Sequence, residues 1–204
     1  MRIIAGEFRG RRLLAPETDA TRPVTDRVKQ SLFDILAPRL EAARVYDCFA
    51  GTGSMGLECL SRGALHATFF EADRSASARL RRNVETVQVQ GRSRVVTTDL
   101  FRWFDAEPPL VEGHRIDVIF LDPPYRFLRE RPEDLRKLAA RMAERHLAGG
   151  GIIVFRHDAA DQLAFPGLVV DDERTYGGMA LEFLRVGGKS DGQGGIDVLP
   201  HAGV

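Results

Sequence analysis

Apolar residues recur along the chain at two spacings, and the alternation between them outlines the fold. Val28, Leu32, Ile35 and Leu36 keep helical spacing behind Thr25, a capping residue, and ahead of Pro38. "RVYDCF" then reads as a short strand, "AGTGSMG" as a loop, and the residues up to Arg62 as a helix that Gly63 ends. "HATFFEAD" is a second strand, and residues 74 to 90 form a helix with Leu80, Val84 and Val87 on one face. "RVVTTD" and "IDVIFLD" are a third and a fourth strand. A helix over 132 to 147 carries Leu135, Leu138, Ala139 and Met142, and "IIVFRH" follows the glycine run Gly149 to Gly151 as a fifth strand. "LVVDDERTYG" and "MALEFLRV" make a closing hairpin around Gly177 and Gly178. Strands alternating with helices predict an α/β fold with a mostly parallel sheet of about seven strands, helices on both faces and an antiparallel closing hairpin.

The same pattern divides the chain. Residues 1–22 form a basic arm, 23–186 a single domain, and 187–204 a glycine-rich tail whose few large apolar residues predict disorder. A chain of 204 residues can bury a core without disulfides or metal. No apolar run approaches the roughly 18 residues of a membrane span, and "MRIIAGEFRGRR" lacks the apolar core of a signal peptide. Cys48 and Cys59 make neither a disulfide framework nor a metal cluster, and the five histidines, without metal spacing, read as surface or capping residues. The expectation is a cytoplasmic monomer that needs no metal and no membrane.

Formal charge is zero, but the cations are lopsided: only Lys29, Lys137 and Lys189 are lysines, so 26 of the 29 basic residues are arginine. That fits either an arginine-rich codon usage or a preference for phosphate and base contacts. Position says more than the total. Arg2, Arg9, Arg11 and Arg12 face Glu7 alone within the first twelve residues, a basic arm suited to nucleic acid but insufficient to prove it.

Candidate chemistry lies at two strand ends. In "YDCFAGTGSMG", Gly51, Gly53 and Gly56 follow a strand and open a helix, and Glu71 ends the next strand where it can accept bonds from a ribose diol. This spacing is shared with dinucleotide sites. Asp47 shifts the balance, because a carboxylate beside the loop suits a ligand with a cationic amino-acid end better than a pyrophosphate. "DCFAGTGSMG" resembles the first motif of Rossmann-like methyltransferases, which implies S-adenosylmethionine as cofactor. Asp99, ending the third strand, sits where that superfamily often places an acid on the adenine amine; a helix cap for "LFRWF" is the rival reading. Trp103 in the same stretch reads as core or pocket lid rather than as a stacking platform.

The second strand end is "DPPY", which resembles the signature of methyltransferases that alkylate an exocyclic amine on a planar base. Asp122 and the Pro123 carbonyl can accept the amine's hydrogens, Pro124 stiffens the turn, and Tyr125 can stack on the base. Four residues do not choose among guanine N2, adenine N6, cytosine N4 or a glutamine. "RIIAGEFRGRRLLAP", "RPVTDRVKQSLFDIL", "DCFAGTGSMGLECLSRGA", "FEADR", "FLDPPY" and "YGGMALEFLRV" together resemble the bacterial RsmD family, whose members methylate guanine N2 in 16S ribosomal RNA. The resemblance runs from Arg2 to about Val186. It implies an assembled or partly assembled small subunit as substrate, with Asp47, Gly51, Gly53 and Glu71 holding the cofactor and Asp122 to Tyr125 the base. It also implies Thr25 and Arg27 near the cofactor's methionine end, and Arg9, Arg11 and Arg12 on RNA. One departure stands out: the fifth strand, which often ends on an acid in this family, reaches Arg156 and His157 here. Two rivals remain, a nicotinamide-dependent oxidoreductase, which leaves "DPPY" without a role, and a non-catalytic RNA-binding assembly factor.

Overall fold

The computed structural model describes residues 1–16 and 24–187; the predicted disorder of the tail falls on residues outside these, apart from Gly187. Helix α1 (Asp26–Leu36) starts at Thr25, whose hydroxyl accepts the Val28 N–H. It leads through a turn at Pro38 into β1 (Arg44–Cys48). Then follow α2 (Ser54–Ser61), β2 (His66–Glu71), α3 (Arg74–Thr86), β3 (Ser93–Thr97), α4 (Leu100–Ala106) and β4 (Ile116–Leu121). The C-terminal half is α5 (Phe127–Glu130), α6 (Pro132–Arg141), β5 (Leu147–Asp158), β6 (Leu168–Tyr176) and β7 (Met179–Val186).

The strands form one seven-stranded sheet in the order β3-β2-β1-β4-β5-β7-β6. β1 to β5 pair in parallel, and β7 runs antiparallel to both β5 and β6. The chain winds outward from β1 to β3 and then crosses back to lay β4 on the other side of β1. The switch point therefore lies between β1 and β4, where a crevice opens at the strands' C-terminal ends.

Two apolar layers cover the two faces. Val45, Phe69, Val118, Phe120 and Val154 meet Leu32, Phe33, Leu57, Leu60 and Leu80 of α1 to α3. Tyr46, Phe70, Ile119, Leu121 and Phe155 meet Phe104 of α4 and Leu135 and Leu138 of α6. Successive strand residues point to opposite faces. Continuing this parity past each strand's apolar run places Asp47, Asp122 and Arg156 on the α1–α3 side.

Three element boundaries differ from the sequence expectation. The helix from Arg74 stops at Thr86, because Gln88 turns into the left-handed region (φ 60°). The helix from Pro132 loses its regular bonding at Arg141 and widens into one π turn over Met142–His146. The glycine run lies inside β5 rather than before it. His157, buried and stacked on Phe155, and His146 depart from the surface reading; His146 is fully buried among Tyr46, Trp103 and Phe104. Burial there pushes its pKa down to about 4, so the ring is neutral. Trp103 packs on Phe70 and Phe104 as part of the core, and both cysteines are buried.

Within the basic arm, residues 1–13 form a tight hairpin. The Ile3 N–H donates to the Arg11 carbonyl, the Leu13 N–H to the Met1 carbonyl, and Ile3 and Leu13 are buried. Its anchor is Glu58 of α2, wholly buried, whose carboxylate accepts the Ile4 and Ala5 N–H groups at 2.9 and 3.0 Å. Lys29 and Arg62 each reach the same carboxylate at 2.9 Å, and Lys29 also donates to the Arg2 carbonyl.

Candidate active site

β1 delivers Asp47 to the switch point almost completely buried. One carboxylate oxygen accepts the Gly56 N–H at 2.8 Å, which ties the strand end to the first turn of α2. Burial pushes the Asp47 pKa up to about 7; the Gly56 N–H and Lys29 pull it down, while the charges of Asp122 and Glu71 push it further up. The loop after β1 turns sharply, with Phe49, Gly51 and Gly53 all at positive φ. A Cβ on Gly51 would meet nothing within 4 Å, so this backbone faces open space. A Cβ on Gly56 would lie 2.3 Å from the Phe69 ring, so that glycine serves the contact between helix and strand.

Glu71, half-buried at the end of β2, fixes the loop from the other side. Its two oxygens accept the Gly51 N–H at 2.7 Å and the Asp73 N–H at 2.8 Å, and burial is the main cause that raises its pKa. The Ala72 N–H also bears on this carboxylate, and the acceptor capacity left over can take a ligand hydroxyl. Asp99 caps α4, accepting the Phe101 and Arg102 N–H groups, and is exposed. Its bonds are those of the rival helix-cap reading, and they leave its second oxygen outside the cap.

On the opposite wall, β4 ends and Asp122 follows. Pro123 is buried, Tyr125 is half-buried, and the Pro124 carbonyl accepts the Phe127 N–H at 2.8 Å, folding the motif directly into α5. The register that pairs Leu121 with Phe155 sets Asp122 beside Arg156 of β5. The Arg156 Nε donates to Asp122 Oδ1 at 2.6 Å. Burial raises the Asp122 pKa, and Arg156 pulls it back only in part.

One cleft brings these walls together. Asp47, Phe49, Ala50, Gly51, Thr52, Ser54 and Met55 line one side and Asp122 and Arg156 the other, with Met1, Pro16 and Val24 at the rim. Gly53, Glu71, Asp99, Tyr125 and Thr25 are not among the lining residues, although Glu71 bonds the Gly51 N–H of the lining loop and Thr25 follows Val24 at the start of α1. Arg27 is exposed on the first turn of α1, and Arg9, Arg11 and Arg12 are exposed on the hairpin. Sequence reasoning missed Glu58, which a charged residue inside "GLECL" signals, and it gave Arg156 no partner.

A Rossmann-like methyltransferase fold with an acid-and-glycine loop facing a D-P-P-Y strand end is the class that this architecture defines. A family model described as "Conserved hypothetical protein 95" matches residues 1–185, and the chain belongs to that family, the RsmD family. It is 42% identical over 126 residues to "Ribosomal RNA small subunit methyltransferase D" of Escherichia coli strain K12, a match that covers 62% of this chain and 61% of that protein. It is 36% identical over 180 residues to "Putative rRNA methyltransferase YlbH" of Bacillus subtilis strain 168, covering 87% of this chain and 94% of that one. Among solved structures, "Putative methyltransferase yhhF from Escherichia coli" superposes with a TM-score of 0.76 at 32% identity, over 91% of this chain and 97% of that one. Among the described residues, no helix is long and apolar enough to cross a membrane, and no group of three or more His, Cys, Asp or Glu could hold a metal.

Proposed function

We propose that the protein transfers a methyl group from S-adenosylmethionine to the exocyclic N2 amine of a guanine in 16S ribosomal RNA, on an assembled or partly assembled small subunit in the cytoplasm, acting as a monomer. The observation that carries this reading is the cleft in which Asp47 and the Gly51 loop face Asp122 across the switch point. The names of the Escherichia coli and Bacillus subtilis relatives support RNA as the substrate.

The cofactor fits the donor set. Asp47 is a buried carboxylate suited to an ammonium group, Glu71 has lone pairs for ribose hydroxyls, and the open face of Gly51 admits a ligand against backbone. Asp99 would accept from the adenine amine, Gly53 would shape the loop, and Thr25 and Arg27 would lie toward the methionine end. When bound, the cofactor supplies a methyl group already activated on a sulfonium, so the protein's task is positioning. A guanine amine is a poor nucleophile because its lone pair is delocalised into the ring. Asp122 and the Pro123 carbonyl accept its two N–H groups, Pro124 holds their geometry, and Tyr125 stacks on the flipped base. Arg9, Arg11 and Arg12 contact RNA phosphates.

Labelled methyl transfer from S-adenosylmethionine to unmethylated small subunits, naked 16S RNA and DNA tests the reading. Label on guanine N2 of the subunit RNA is expected. Label on adenine N6 or cytosine N4 would reassign the amine, and no incorporation into any of the three would leave an RNA-binding assembly factor.

A further inference from the structure

We propose that Arg156 is a positioning residue for the transfer, holding the Asp122 carboxylate ionised and aimed into the cleft. The inference rests on the methyl-transfer reading above and adds to it a residue outside the D-P-P-Y motif.

Asp122 has reasons to be protonated. It is partly buried, and the Asp47 carboxylate lines the same cleft from β1. Burial and a second carboxylate both favour the neutral acid, which would present a donor where the target amine needs an acceptor. Of the charged groups that face Asp122, Arg156 from β5 is the cation in contact, at 2.6 Å. Tyr125 belongs to the motif's own turn, and β7 contributes the Met179 sulfur, 3.8 Å from Arg156 Nη1. Both partners are largely sequestered, with side-chain exposures of 9% for Arg156 and 19% for Asp122. Strand pairing between β4 and β5 is already complete through Leu121 and Phe155, so the ion pair is not needed to join the strands. Buried pairs also contribute little net stability against apolar replacements. Its position inside the cleft is better explained by what it does to Asp122.

In the transfer, the amine lone pair forms the N–C bond while the C–S pair stays on sulfur, and the surplus N–H proton passes to water. Asp122 takes part as an ionised acceptor throughout, and Arg156 keeps it so.

The test compares wild type with Arg156→Met, Arg156→Gln and Arg156→Lys in single-turnover transfer across about pH 5.5 to 9, with S-adenosylhomocysteine affinity by calorimetry alongside. Loss of the charge should move the acidic limb to higher pH, slowing transfer up to about tenfold on that limb and little near pH 9, with cofactor affinity within a few-fold. Arg156→Lys should restore the limb. Arg156→Gln gives the same readout if Arg156→Met does not fold. A uniform loss at every pH with no rescue by lysine would make the pair structural and overturn the proposal, as would unchanged rates. Wild type inactive on every RNA would instead sink the methyl-transfer reading. In that case carbon-13 titration of the Asp122 carboxyl decides, and equal titration in wild type and Arg156→Gln would overturn the role given to Arg156.

Discussion

Asp47 carries the sharpest single-residue consequence, because its carboxyl sits near neutrality in the free protein. A ligand bearing an ammonium group selects the ionised form. Affinity for S-adenosylhomocysteine should therefore rise as pH climbs from about 6 to 8, approaching tenfold per unit below the pKa. Calorimetry across that range checks it, and Asp47→Asn should bind weakly with no such slope. Stability runs the other way. The folded pKa of about 7 lies above the ordinary value of 3.8, so the folded state holds a proton that the unfolded chain has already released. Stability from this group is full below about pH 4 and lost as pH rises through about 7. Asp47→Asn, which can still accept the Gly56 N–H, should raise the melting temperature of the free protein by several degrees at pH 8 and hardly at all at pH 4. Asp47 was legible in the sequence because an acid ahead of a glycine loop is unusual for a phosphate site. Arg156 was visible only as a departure, since its role depends on which residue of β4 stands beside it.

At the scale of elements, the N-terminal hairpin, α1 and α2 form one unit around Glu58. A wholly buried carboxylate is tolerable here because two cations and two backbone N–H groups surround it. Glu58→Gln removes the charge that Lys29 and Arg62 share and should cost about 3 kcal/mol in a denaturant titration. Hydrogen exchange should localise the loss: the Ile4 and Ala5 amides should exchange far faster, while β4 and β5 keep their protection. Met1 and Pro16 stand at the rim of the cleft, so loosening this hairpin should also weaken cofactor binding. The succession of strands and helices along the chain could be read from the sequence, because short apolar runs alternate with helically spaced ones. Their ends could not. The glycine run resembles a break until pairing with β4 makes it strand, and the π turn at Met142 leaves no mark on the spacing of apolar residues. The hairpin's folded form was hidden for a related reason: its anchors lie more than fifty residues away in α2.

For the whole molecule, zero net charge conceals a basic stretch over residues 1–12, and under the proposed function association with RNA should depend on salt through particular arginines rather than through overall charge. Replacing Arg9, Arg11 and Arg12 with glutamine should weaken subunit binding and reduce the slope of log affinity against log salt by about 2, with S-adenosylhomocysteine affinity unchanged. Filter binding at several salt concentrations measures this, and an unchanged slope would remove the hairpin from the RNA interface. The parallel sheet and its switch point already made a cleft at the ends of β1 and β4 the natural site. What it does there is the central claim. The most direct measurement is mass-spectrometric mapping of nucleosides in 16S RNA from cells with the protein, without it, and with Asp122→Ala. The account predicts one N2-methylguanosine present in the first sample and missing from the other two, with the Asp122→Ala protein folded and still binding S-adenosylhomocysteine within a few-fold. An identical set of modified nucleosides in all three samples would contradict it.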